Sequence, residues 1–109
     1  MARDEAYYEA EQKVAEALET GQINLDLSYM RLTDIPESIS KLKDLQILDL
    51  RHNELTDLPY TIAELSNLRY LLLSQNQLIQ MPSLVRSLKN LQKLYLWSNM
   101  LTLFPEEVL

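Results

Sequence analysis

The chain repeats itself every 23 residues, and that period restricts the architecture more than any other feature of the sequence. At this shift Leu45, Leu68 and Leu91 fall into one column, Leu48, Leu71 and Leu94 into a second, and Leu50, Leu73 and Leu96 into a third. The register continues through Asn53, Asn76 and Asn99, then Leu55, Leu78 and Leu101, then Leu58, Met81 and Phe104, then Pro59, Pro82 and Pro105. Ile62, Val85 and Val108 follow, and then Leu65 and Leu88. An earlier, imperfect copy supplies Leu25, Leu27, Leu32, Ile35, Pro36, Ile39 and Leu42, with Met30 in the asparagine column and Gln22 in the first leucine column. Leucine accounts for 24 of the 109 residues, while glycine occurs once and cysteine is absent. A single copy of this pattern is one short strand and a return segment. It forms one layer that cannot bury its own apolar side, so only stacking on a neighbour removes that side from water. The expected result is a solenoid.

Within each copy the Leu-x-Leu centre, as in Leu48-Asp49-Leu50, alternates inward and outward as a strand does. Successive strands then lie parallel, about 4.8 Å apart. Asn53, Asn76 and Asn99 stand where the chain leaves the strand, and their amides can satisfy backbone groups that the buried turn leaves unpaired. Pro36, Pro59, Pro82 and Pro105 preset the backbone for a short helical or 3₁₀ turn on the convex side, where the missing N–H is not needed. The asparagines and prolines are therefore read as structural.

The pattern from Leu45 to Leu65, with Leu48, Leu50, Asn53, Leu55, Leu58, Pro59 and Ile62 at their fixed intervals, resembles the 23-residue class of leucine-rich repeat. That class is found in Ras-associated leucine-rich scaffolds, bacterial repeat proteins and Roco-type proteins. The resemblance covers 87 of 109 residues. It implies an α/β leucine-rich repeat solenoid with a parallel concave sheet, a convex side of short helical or 3₁₀ turns, and protein binding on the concave face. It names no partner, because a fold hosts many functions.

Residues 3–20 read as one amphipathic helix, with Ala6, Tyr7, Ala10, Val14, Ala17 and Leu18 at three- and four-residue spacings and Gly21 as its C-terminal cap. Residues 1–22 hold six carboxylates against two basic groups, so they carry −4 of the net −6. A first coil needs a lid with a polar outer side, and capping is the expected role of this helix, ahead of docking to a basic partner. The expected division is thus a capping helix at 1–22 and about four repeats at 23–109, the last incomplete. A stop inside a repeat is most naturally a piece of a longer protein. The competing explanation is an open end covered by self-association, making a homodimer through Leu94, Leu96, Leu101, Phe104 and Val108.

The positions between and just beyond the inward leucines are expected to face solvent: Asn24, Asp26, Ser28, Tyr29 and Arg31 in the first copy, and Ile47, Asp49, Arg51, His52 and Glu54 in the second. The third copy contributes Tyr70, Leu72, Ser74, Gln75 and Gln77, the fourth Lys93, Tyr95, Trp97, Ser98 and Met100. Polar residues dominate the first two copies, whereas Ile47, Tyr70, Leu72, Tyr95 and Trp97 gather toward the C-terminal end. Aromatic residues also suit strands and cover one another across a sheet. Their contiguity here points instead to a docking patch for a protein or peptide, flanked by Asp49, Arg51 and His52.

Other chemistries lack their residues. Asp26 and Asp49 on neighbouring strands could raise one another's pKa, but Arg31 and Arg51 share their face and no nucleophile or enclosed pocket accompanies them, so no enzyme is expected. His52 is the single histidine, expected to be exposed beside Asp49 and Glu54, and too few ligands surround it for a metal. A lone glycine rules out glycine-rich phosphate loops, and no cofactor is expected. The negative balance gives no support to nucleic-acid binding. The longest apolar run, Tyr70 to Leu73, is too short for a membrane span or a signal peptide, which suggests a cytoplasmic protein.

Overall fold

The computed structural model describes residues 4–100. The helix α1 spans Glu5–Thr20. It begins two residues later than its periodicity suggests, because the Asp4 side chain accepts the N–H of Tyr7 at 3.0 Å and acts as the cap. Gly21 ends it in the left-handed region at φ 68°, its N–H donating to the Ala17 carbonyl. Tyr7, Ala10, Val14 and Ala17 form the buried stripe. Leu18 does not join them. It is 48% exposed, because only one side of the helix lies on the first coil.

Four three-residue strands follow: β1 at Asn24–Asp26, β2 at Ile47–Asp49, β3 at Tyr70–Leu72 and β4 at Lys93–Tyr95. They pair in parallel in the order β1-β2-β3-β4, each residue opposite the one 23 positions later, as Leu25 opposes Leu48 and Leu48 opposes Leu71. The ladder outlasts the strands. Leu50 donates to the Leu72 carbonyl at 2.9 Å, and His52 to that of Ser74 at 3.1 Å. Turns of 3₁₀ helix at Glu37–Lys41, Tyr60–Glu64 and Ser83–Ser87 form the opposite side, each opened by a proline whose carbonyl accepts the first turn bond.

The inward leucines of all these elements join one core, onto which Ala10, Val14 and Ala17 close from the helix. In the third turn Leu84 stands where Ser38 and Thr61 stand in the earlier ones. It takes the buried place, and Val85, assigned by the repeat to the core column, is only half-buried.

The asparagine column ties each turn to the one before it. The Asn53 amide nitrogen donates to the carbonyls of Leu27 and Leu50 at 2.9 and 3.0 Å, while its oxygen accepts from Met30 and Leu32 at 3.1 and 2.9 Å. Asn76 and Asn99 repeat three of these bonds one and two coils on, the counterparts of those to Leu27, Leu50 and Leu32. Met30 is tolerated in this column because Asn53 serves the first turn from the second coil.

Leu91, Leu94 and Leu96 are half-buried, whereas Leu68, Leu71 and Leu73 in the same columns are fully enclosed. Leu94 and Leu96 are two of the five residues named from the sequence as a self-association edge. Leu101, Phe104 and Val108 lie outside the described residues.

Candidate functional site

Because Leu48, Leu71 and Leu94 point into the core, their strand neighbours stand on the concave surface. Six residues singled out from the sequence, Ile47, Arg51, Tyr70, Leu72, Tyr95 and Trp97, line one depression of about 360 Å³ there. Ile47, Tyr70 and Leu72 are half-buried walls, while Tyr95 and Trp97 are 39% and 57% exposed. The ammonium of Lys93 lies 5.9 Å from the centre of the Tyr70 ring, a cation over an aromatic face.

Asp49 is committed to Arg51. Its two oxygens accept from the guanidinium at 2.9 and 2.7 Å, and the first also accepts the Arg51 N–H at 3.1 Å. This pairing raises the Arg51 pKa above its ordinary value and fixes the guanidinium as a wall of the groove.

Asp26 and Asp49 are opposite one another in the sheet, yet they do not form an acid/base pair. The Ser28 hydroxyl and N–H donate to Asp26 and hold its pKa below the usual carboxylate range, aided by the charges of Lys13 and Arg51.

Two expectations on this face are corrected. Ser74, placed among the solvent-facing positions, is 0% exposed, and its hydroxyl has no hydrogen-bond partner. It occupies the same column as the large side chains of Arg51 and Trp97, and a small residue between two large ones loses its access to water. His52 is half-buried rather than exposed, its ring stacked on Tyr29 at 4.0 Å with 13° between planes. It therefore faces the turn after the strands and does not line the groove.

The stack reflects a backbone feature that residue patterns did not reveal. Tyr29, His52, Gln75 and Ser98, all in the column before the asparagine, have φ between 57° and 59°. Such left-handed residues turn the chain out of the strand in every coil, at a steric cost that glycine, lacking a Cβ, would escape.

A second depression, about 390 Å³, lies where α1 meets β1 and β2, and its lining includes Lys13, Glu16, Asp26, Ile47 and Asp49. Among the described residues no group of three acidic, histidine or cysteine side chains could hold a metal ion, and no helix is long and apolar enough to cross a membrane.

A stack of parallel strands and short convex turns, stitched by asparagines, defines a repeat solenoid. The family model for a leucine-rich repeat region matches residues 24–108. The chain belongs to the leucine-rich repeat family. A solved leucine-rich repeat protein of Leptospira interrogans is 42% identical to it, with a TM-score of 0.67 over 72% of this chain. The match covers 20% of that protein's length. No curated protein matches the chain.

Proposed function

We propose that the chain is a non-enzymatic interaction module that receives a protein or peptide segment on its concave face. The family commonly mediates protein–protein interaction. The single observation that carries the reading is the convergence of Ile47, Tyr70, Leu72, Tyr95 and Trp97 on one groove. Aromatic side chains in such a position supply large contact area with few rotatable bonds, and they dominate binding energies at interfaces. The Asp49–Arg51 pair limits the energy the rim can add, since both charges are already satisfied within the chain.

The test is the affinity of an isolated partner for the wild-type chain and for Trp97→Ala. A loss of about 2 kcal/mol or more, roughly thirtyfold, is expected with an unchanged circular-dichroism spectrum. Equal affinity for the two proteins removes Trp97 from the interface and the reading with it.

A second reading is assembly through the last coil, favoured by the half-buried state of Leu91, Leu94 and Leu96. Sedimentation across a dilution series separates the two, because assembly through this end survives Trp97→Ala but not Leu94→Glu.

A further inference from the structure

We infer that the segment bound on the concave face is basic at one end and apolar at the other, with a Lys or Arg about three residues from an aliphatic or aromatic anchor. This rests on the concave-face reading and adds to it the chemistry of the partner. The two depressions of this face adjoin, with Ile47 lining both, so the aromatic groove lies next to the hollow beside α1.

Their electrostatics differ. In the hollow, Asp49 is neutralised by Arg51 at 2.7 Å, but among the described residues neither Glu16 nor Asp26 forms an ion pair. Lys13 is the one cation lining it, which leaves a net charge of −1 from Glu16, Asp26 and Lys13. Ser28 keeps Asp26 ionised by donating to it twice. The surroundings reinforce the sign, since residues 1–22 contribute −4 and the whole chain is −6. A partner that lays an apolar side chain over Leu72 and Tyr95 and extends across β2 toward α1 therefore meets one negative charge in excess, and a cation is the group that lowers the energy of that approach.

Geometry sets the spacing. Asp26 on β1 and Leu72 on β3 are two strands apart, about 10 Å, which is about three residues of extended chain crossing the sheet. An acidic segment is excluded by repulsion at Glu16 and Asp26, and a free small cation leaves the adjoining apolar groove in water.

The test is panning of a random 12-residue phage-displayed peptide library on the full chain, followed by fluorescence-anisotropy titration of the enriched sequence as a synthetic peptide. The expected outcome is enrichment of Lys or Arg about three positions from a large apolar residue. Affinity should fall about fivefold in the double variant Glu16→Gln/Asp26→Asn, with a shallower salt dependence. Asparagine keeps an oxygen to accept from Ser28, so the turn is preserved and an unchanged melting curve checks it.

If the enriched peptides carry no basic residue, or bind the double variant as tightly as wild type while losing affinity for Trp97→Ala, the charge inference fails and concave docking stands. If their binding ignores Trp97→Ala, or no peptide is enriched, both are overturned.

Discussion

Asn76 is buried and makes three hydrogen bonds, its amide nitrogen donating to the Leu50 and Leu73 carbonyls and its oxygen accepting from Leu55 N–H, at 2.8 to 3.0 Å. Each of these backbone groups has no water to turn to, so Asn76→Ala should cost about 3 kcal/mol or more in a urea titration, at about 1 to 3 kcal/mol per orphaned group. Asn76→Asp should be at least as damaging, because the carboxylate keeps the acceptor and loses both donors while adding a buried charge. A wild-type midpoint for either variant would show that the stitching is dispensable. Asp26 offers a second test at this scale. Its folded pKa is depressed, chiefly by the Ser28 hydroxyl and N–H. Its contribution to stability is therefore present above the unfolded value near 3.9 and is lost as pH falls through the lower folded value. In Ser28→Ala the Asp26 carboxyl resonance should titrate closer to 3.9 than in wild type, and the stability lost between those two values should shrink. An unmoved titration assigns the shift elsewhere.

Among the elements, α1 is the one that does not belong to the repeat, and its ends decide whether it stays in place. Gly21 holds φ 68°, and a methyl group added there would meet no heavy atom within 4 Å. Gly21→Ala should therefore cost about 1 kcal/mol from backbone strain alone, without any clash to relieve. A cost near zero in thermal denaturation would mean that the helix ends differently in solution. The helix, the strands and the convex turns could all be read from periodicity and caps, because burying leucine every second or third residue leaves little choice of geometry. What could not be read was the left-handed column. Nothing in Tyr29, His52, Gln75 and Ser98 taken singly signals a positive φ, although their shared position 23 residues apart does place Tyr29 beside His52 and makes their stacking intelligible. Ser74 escaped for a related reason. Column position fixes the face a side chain occupies, whereas its exposure depends on the size of Arg51 and Trp97 beside it.

At the scale of the whole molecule, the groove was legible because it is a property of columns: Ile47, Tyr70, Leu72, Tyr95 and Trp97 share a face by register. The hollow next to it was not, since Lys13 and Glu16 arrive from outside the repeat, and only the docked helix brings them to Asp26. Stability has the same columnar logic. In a solenoid each coil is held by its neighbours alone, so a leucine enclosed on both sides should contribute more than its counterpart in the last described coil. Leu71 is 0% exposed and Leu94, one coil on, is half-buried. Leu71→Ala should lose about 3 to 5 kcal/mol, the range for an enclosed leucine, and Leu94→Ala roughly half of that. The comparison is made by urea unfolding at several protein concentrations. Equal losses would mean that the Leu94 layer is covered as fully as the interior one. If Leu94→Ala then became milder on dilution, the cover would come from a second molecule, and the protein in solution would assemble through this coil.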